Sequence, residues 1–299
     1  MTLNAGKRFA ISLLAASAVL APVAQAQEEM LWRALDPNDL VFMDIGEGQV
    51  VFELNSRFAP KTVAQFKRLV KEDFYRGLSF YRVIEGFVAQ GGDESDIDVP
   101  NGQPMLDAEF EIDRDEELNW TSVQRDDLFA PETGFVDGFA AATDGKKTWL
   151  AHCPGVLAMA RNNEPDTGST DFYVVIGQAP RYLDRNLTIF GRVIHGMDAV
   201  QSINRGPADQ NGVIESDTAR SRISRMRMGT DIPEQEQQEF YVMDTGSAGF
   251  TNYMEARRNR THEFFHHKPP KVLDVCQVPV ATRIEKKSSH SLGTTDPSE

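Results

Sequence analysis

The chain has 299 residues, of which 40% are hydrophobic and 25% charged, and its formal net charge at pH 7 is −14. That length suffices for one large or two ordinary domains with a well-buried core. So acidic a chain argues against nucleic acid and anionic lipid as partners, and it is compatible with loose association with basic, unfolded polypeptides.

The first 26 residues have the pattern of a secretory signal peptide. Lys7 and Arg8 precede an apolar run from Phe9 to Val23. Ala24-Gln25-Ala26 is then a small-x-small cleavage site. The run is too short to span a bilayer comfortably, and no other stretch approaches that length. We therefore predict an exported, periplasmic protein that begins near Gln27 and has no membrane span after cleavage.

The next elements are a linker, a hairpin and a helix. Residues 27–39 are predicted to be a linker. The apolar runs Leu40–Ile45 and Gln49–Leu54 are joined by a glycine-containing turn and indicate a β-hairpin. A helix is predicted from Pro60, because apolar residues recur there at three- and four-residue spacing. We expect this helix to cover one end of a sheet.

A second hairpin places an arginine, an amide and an aromatic ring close together. Its predicted strands are Leu78–Ile84 and Phe87–Gln90, joined at Glu85-Gly86. Side chains alternate along a strand, so Phe87 and Gln90 share no face unless the second strand bends, bulges or ends between them. By composition alone, the simpler interpretation is a core hairpin with one exposed arginine, Arg82.

An insertion of about residues 94–154 follows, without clear periodicity. It is strongly acidic from Asp107 to Glu117 and rich in Gly, Ala and Pro from Phe129 to Asp144. Such a stretch is either a functional insertion or a mobile lid. Its acidic residues either form a solvated charge run or recruit basic clients.

The remainder again shows short strands. They are predicted near residues 155–160, 172–176, 187–195 and 223–228. Many short strands with two helices, and no alternation of strand and helix, argue for an antiparallel barrel. Residues 231–299 form a C-terminal extension that is partly helical, with a helix predicted from Phe250 to Phe265 and a disordered end.

Three blocks carry a resemblance to a known family. The hairpin reads Phe-x-Arg-x-Ile-x-Gly-Phe-x-x-Gln-Gly-Gly-Asp over residues 80–93. A second block runs through residues 155–161 and 169–176, and a third covers residues 182–197. In this order they resemble the signature of the cyclophilins, the peptidyl-prolyl cis-trans isomerases. The resemblance implies a mainly β fold over residues 40–230, a closed antiparallel barrel capped by two helices.

The resemblance also implies an activity, isomerisation of Xaa-Pro bonds in folding exported proteins, with proline-containing unfolded or extended polypeptides as partners and no cofactor or metal. It makes Arg82 and Gln90 the catalytic residues. Rotation breaks no bond, but the proline nitrogen regains a lone pair at the twisted state, which an always-charged guanidinium stabilises. The implied substrate-binding residues are Phe87, Val88, Ala160, Arg161, Asp171, Tyr173, Tyr182, Leu183 and Leu187.

Several of these residues depart from the usual pattern. Asp171, Tyr182 and Leu187 stand where the best-known members have Gln, Trp and His, and Tyr173 stands where Phe is usual. Our hypothesis for Asp171 is a charge-assisted pair that partly diverts Arg82 from substrate, so that Asp171→Asn would raise activity. These departures favour an alternative function, a non-catalytic cyclophilin-like peptide-binding or chaperone module.

Two competing motifs and two cysteines need an interpretation. Asp-Thr-Gly-Ser, typical of aspartic proteases, occurs at residues 166–169 and 244–247, but the first copy follows no strand. Residues 262–266 match the His-Glu-x-x-His pattern of zinc hydrolases, yet they adjoin a polar turn and lack a third ligand. We interpret both motifs as structural. Cys153 and Cys276 either pair in an oxidising compartment or stay free thiols.

Overall fold

The computed structural model describes residues 31–94 and 102–286. The predicted signal peptide, 1–26, lies outside the described residues, and so does the predicted disordered end, 286–299, except for Lys286, which belongs to a strand. No helix within the described ranges is both long and apolar enough to cross a membrane.

The helices are α1 (Pro60–Lys71), α2 (Met197–Gln201) and α3 (Ala248–Asn259). The strands are β1 (Trp32–Ala34), β2 (Leu40–Ile45), β3 (Gly48–Leu54), β4 (Ser79–Val83), β5 (Val88–Gly92), β6 (Ile112–Asp113), β7 (Trp120–Arg125), β8 (Glu132–Val136), β9 (Phe139–Thr143), β10 (Lys147–Leu150), β11 (Val156–Met159), β12 (Phe172–Val175), β13 (Ile189–His195), β14 (Ser221–Met228), β15 (Gln238–Met243) and β16 (Thr282–Lys286).

Eight strands close an antiparallel barrel in the order β11-β12-β5-β4-β14-β2-β3-β13. The predicted fold class, a mainly β protein with a barrel capped by two helices, is therefore confirmed. Phe66 of α1 enters the barrel core, with its ring centroid 5.8 Å from that of Phe172 and 5.0 Å from that of Phe190. Val200 of α2 is fully buried in the same core.

The insertion is an ordered five-stranded antiparallel sheet in the order β6-β10-β9-β8-β7. These strands were not predicted because they are short and show no clear apolar alternation, as in the Phe-Ala-Ala-Ala-Thr of β9. Packing against a second layer, rather than their own pattern, makes these residues strands.

Acidic residues of the insertion bind within the chain. Glu109 accepts hydrogen bonds from the backbone N–H groups of Lys61 and Thr62, both at 2.9 Å, at the beginning of α1. The cap residue Ala59 has no side chain that could do this, so Glu109 caps the helix from a distant segment. Glu111 likewise pairs with Arg185 at 2.6 Å. These two residues therefore match neither of the predicted roles of the acidic run, which were a solvated charge run and the recruitment of basic clients.

The C-terminal extension builds a third sheet, in the order β1-β15-β16. The predicted linker, residues 27–39, thus contains a strand, β1, whose partner lies about 200 residues later and leaves no local signal. The predicted helix 250–265 is instead α3, which ends at Asn259 because Arg260 adopts a left-handed conformation with φ 45°. Phe250 of α3 packs on Phe135 of the insertion, with ring centroids 5.5 Å apart.

The two cysteines form a disulfide between Cys153 and Cys276. Cys153 comes just before β11 of the barrel, and Cys276 lies in a 3-10 turn of the extension. The alternative of two free thiols is therefore wrong.

A buried ion cluster joins the three sheets. The Glu53 carboxylate on β3 is 4% exposed and accepts from Arg192 Nη2 at 2.7 Å and from Arg33 Nη2 at 2.6 Å. Arg33 also donates to the carbonyl of Asp137 at 2.9 Å, and Arg192 donates to the carbonyl of Gly138. Barrel, insertion and β1 thus meet at one carboxylate.

We expect Glu53→Gln to lower the free energy of unfolding by about 3–5 kcal/mol, because it leaves two arginines beside a neutral group in a poorly hydrated site. Denaturation in urea measures the change. The control is Glu72→Gln, whose carboxylate is half exposed and pairs with Arg68, and which should cost less than about 1 kcal/mol. Similar losses for both variants would contradict a central role for the Glu53 cluster.

Candidate active site

Arg82 and Gln90 face each other across the β4–β5 hairpin. Their Cα positions pair directly, because the register shifts between Phe80 and Arg82 and leaves Tyr81 as an extra residue on β4. The irregularity that we predicted in the second strand is instead a bulge in the first, β4, and Phe87 lies outside β5, which begins at Val88.

The Arg82 guanidinium is half-buried and held at two points. Nη1 donates to Gln90 Oε1 at 3.0 Å, and Nε donates to the carbonyl of Asn211 at 3.2 Å. An arginine has five N–H donors, so the remaining three stay available to a bound molecule. The two anchors fix the plane of the guanidinium before any substrate arrives.

Two other side chains link Asp171 to Arg82. Tyr81 donates its hydroxyl hydrogen to Asp171 Oδ2 and accepts a hydrogen bond from Gln90 Nε2 at 2.6 Å. Gln90 in turn accepts from Arg82. The observed link between Asp171 and Arg82 is this indirect one, and the expectation that Asp171→Asn raises activity stays a prediction.

The register explains this indirect link. Phe172 pairs with Gly91, so the preceding Asp171 lies beside Gly92, two residues beyond Gln90. A Cβ at Gly92 would come within 2.3 Å of Asp171 Oδ1, and Gly92 has φ 137°, which favours glycine. The second glycine of the Gln-Gly-Gly-Asp motif thus makes room for a buried carboxylate.

An apolar cluster lies beside this polar row, and we refer to it below as the candidate proline pocket. Val88 and Tyr173 are 3% and 5% exposed and belong to one buried cluster, against which the half-buried side chains of Phe87, Ala160 and Leu187 pack. Tyr173 pairs with Gln90 across β12 and β5, which places the base of the pocket next to the polar row.

The remaining predicted residues lie on neighbouring segments. Leu183 is half-buried in the 3-10 turn Arg181–Leu183, and Tyr182 on the same turn is 67% exposed. The Arg161 guanidinium donates to the carbonyl of Asn186 from Nε at 3.0 Å and from Nη2 at 2.7 Å, so it pins two loops together. Ala160, Arg161 and Asp171 also line a cleft with Gln90, Asn162, Thr167, Ser169 and Thr170.

The sequence analysis missed a buried network beneath the pocket. The Tyr173 hydroxyl lies 2.9 Å from Nε2 of His152, which is fully buried. His152 Nδ1 lies 3.0 Å from Asp184 Oδ1, and Arg181 donates from Nε to Asp184 Oδ2 at 2.6 Å. The extra hydroxyl at Tyr173 was the available signal, because a buried tyrosine needs a polar partner.

The competing motifs serve local structure. Asp244 Oδ1 accepts the backbone hydrogen bond of Gly246 at 2.9 Å, and Ser247 caps α3. Asp166 Oδ1 accepts from the backbone of Ala108 at 2.8 Å. The His-Glu-x-x-His residues come after α3 has ended, so they share no helix face. Among the described residues, no group of three or more His, Cys, Asp or Glu could hold a metal ion.

Comparison with known proteins identifies the family. Residues 40–228 match the family described as cyclophilin type peptidyl-prolyl cis-trans isomerase. The chain belongs to the cyclophilins. A probable peptidyl-prolyl cis-trans isomerase of Brucella suis is 32% identical over 208 residues, which are 70% of this chain and 92% of that protein. A peptidyl-prolyl cis-trans isomerase of Acinetobacter baylyi is 29% identical over 59% of this chain and 77% of its own length.

The structural comparison reaches further along the chain. The crystal structure of the cyclophilin AquaCyp293 from Hirschia baltica has 28% sequence identity and a TM-score of 0.70, and the match covers 86% of this chain and 94% of that one. This share exceeds what residues 40–228 alone provide, so the similarity continues outside the segment that the family description matches.

We expect the buried tyrosines of this cyclophilin to govern its stability at high pH. Burial raises the pKa of Tyr81 and of Tyr173, and the nearby carboxylates of Asp171 and Asp184 act in the same direction. Above the ordinary tyrosine pKa of about 10, the unfolded chain ionises both groups and the folded chain does not. The contribution of each tyrosine to the free energy of unfolding is therefore complete below about pH 10. Above this pH, the free energy of unfolding falls by about 1.4 kcal/mol per pH unit for each buried tyrosine.

Urea denaturation between about pH 9 and pH 11.5 measures this slope. Tyr81→Phe and Tyr173→Phe should each flatten it, although each variant is less stable at neutral pH because it loses a buried hydrogen bond. A variant that keeps the full slope would show that its tyrosine ionises normally in the folded protein.

Proposed function

We propose that the protein isomerises Xaa-Pro bonds of polypeptides with Arg82 as the catalytic residue and Gln90 as its partner. Proline-containing polypeptides are the substrates of this family. The observation that supports the assignment is the Arg82 guanidinium, which is anchored by two hydrogen bonds and lies beside a cluster of apolar side chains. The alternative, a non-catalytic binding module, is not favoured.

Catalysis here needs no proton transfer and no covalent step. The uncatalysed barrier is roughly 18–20 kcal/mol, and a 10⁵-fold acceleration requires about 7 kcal/mol of transition-state stabilisation. As the amide twists it loses resonance, and the proline nitrogen becomes a hydrogen-bond acceptor. A donor from Arg82 then binds this nitrogen only in the twisted state, which is the differential binding that raises the rate.

The pocket holds the other half of the substrate. We assign the proline ring to the surface formed by Phe87, Val88 and Tyr173, with Leu183 and Leu187 at its edge. Fixing the ring while the preceding carbonyl rotates converts binding energy into orientation. We assign Gln90 to that carbonyl, because its Nε2 has a second N–H besides the one that it donates to Tyr81.

Arg82→Ala tests the assignment. We expect kcat/KM for a proline tetrapeptide, in a protease-coupled assay, to fall by about 10²–10³-fold, the usual effect of losing one preorganised donor. Arg76→Ala is the matched control, because Arg76 is an exposed arginine paired with Asp73, and it should retain wild-type activity. Equal activity of the two variants would remove Arg82 from the mechanism.

We also propose that the protein works in the periplasm after removal of residues 1–26. The signal-peptide pattern supports this, as does the Cys153–Cys276 disulfide, because disulfides persist mainly in oxidising compartments. Expressed in a Gram-negative host, the protein should appear in the periplasmic fraction with an N-terminus near Gln27 by mass spectrometry. A full-length, reduced chain confined to the cytoplasm would contradict the proposal.

A further inference from the structure

Two consecutive large apolar side chains are exposed on the turn between β7 and β8. Leu128 is 88% exposed and Phe129 is 48% exposed. The turn is held by a backbone hydrogen bond from Asp126 N–H to the carbonyl of Pro131 at 2.8 Å and by one from Phe129 N–H to the side-chain oxygen Asp127 Oδ1 at 3.0 Å. An isolated exposed leucine is ordinary, but a contiguous apolar patch on an ordered element marks an interaction site.

Arg181 fixes this turn against the edge of the proline pocket. Its side chain is 4% exposed, its Cζ lies 5.3 Å from the ring centroid of Phe129, and its Nη2 lies 3.6 Å from Asp127 Oδ1. Through Nε it also binds Asp184, which contacts His152 beneath the pocket. A chain of buried polar contacts therefore sets the position of the turn relative to the pocket floor.

Tyr182 is a third exposed apolar side chain, on the neighbouring turn. It follows Arg181 directly, is 67% exposed, and precedes Leu183, which we assign to the edge of the proline pocket. Arg181, through its contact with Phe129, thus links the β7–β8 turn to the segment that contains Tyr182 and Leu183. Other large apolar side chains exposed within the described ranges lie on other segments: Leu31, Met105, Phe264 and Val272.

We propose that Leu128, Phe129 and Tyr182 form an apolar subsite that binds an aliphatic or aromatic side chain of the same polypeptide whose proline occupies the pocket. The proposal rests on the proposed function, because it takes the client to be an extended, proline-containing chain. Extended and unfolded chains expose the large apolar residues that folded proteins bury. Once the proline is bound, a neighbouring apolar residue is held near the subsite at high effective concentration.

The insertion therefore gives this chain a preference for clients with a large apolar residue near the proline, which the barrel alone would not provide. Two of the three subsite residues come from the β7–β8 turn. Clients with a large apolar residue near the proline should bind more tightly than clients without one, because apolar surface leaves water on both sides of the contact. The subsite thus selects unfolded segments over polar, solvent-exposed prolines of folded proteins.

Labelled peptides of one length test the preference. The host peptide has a central proline among serine and glycine residues, and the others carry one phenylalanine at successive positions on either side. Fluorescence anisotropy gives each Kd. The wild-type protein should bind the best phenylalanine peptide about tenfold more tightly than the host peptide. In the double variant Leu128→Ser with Phe129→Ser, this ratio should fall to about one.

The double variant Phe264→Ser with Val272→Ser is the matched control, because it removes two comparably exposed apolar side chains elsewhere, and it should keep the tenfold ratio. Circular dichroism confirms that both variants fold. A wild-type ratio of one, an unchanged ratio in the Leu128/Phe129 variant, or an equal loss in the control would overturn the subsite.

Two further measurements separate the competing outcomes. Sedimentation that shows a dimer abolished by the Leu128/Phe129 variant, with peptide preference unchanged, would overturn the proposal in favour of a second copy of the chain. A tetrapeptide assay on the wild-type protein tests isomerase activity by itself. If it shows no activity while the preference depends on Leu128 and Phe129, the proposed function fails and the apolar subsite stands.

Discussion

One buried carboxylate organises the molecule. Glu53 lies on the barrel strand β3, and both arginines that neutralise it also donate to carbonyls at residues 137–138, in the turn between β8 and β9. A charge removed from water is tolerated only when it is paired and hydrogen-bonded. The barrel, the insertion sheet and β1 satisfy this condition together, so the additions to the barrel are integral to its folded state.

This arrangement bears directly on the candidate site. Val88 and Tyr173, the floor of the proline pocket, share their buried cluster with Phe135 of the insertion and Phe250 of the extension. The chain has thus placed a second hydrophobic layer behind its substrate pocket. Tyr173 differs from the usual phenylalanine by its hydroxyl, and this hydroxyl forms a hydrogen bond with His152 in that layer.

Local patterns predicted what local interactions determine. The hairpin of residues 78–90, the helix at Pro60 and the proximity of Arg82 and Gln90 follow from spacing, turn residues and a family signature. The sequence could not show that β1 pairs with β15, that Glu109 caps α1, or that Tyr81 separates Asp171 from Arg82. Each of these depends on contacts between residues about 50 to 200 positions apart, for which the chain carries no periodic signal.

The Cys153–Cys276 disulfide has a consequence for the order of events during synthesis. Cys153 lies next to His152 under the pocket, whereas Cys276 follows the whole barrel and α3 in the chain. Domains fold as their residues emerge, from the N-terminal end. The barrel strands can therefore pair before the C-terminal extension has been synthesised. The native structure is complete only after the extension has packed against the barrel and the Cys153–Cys276 disulfide has formed.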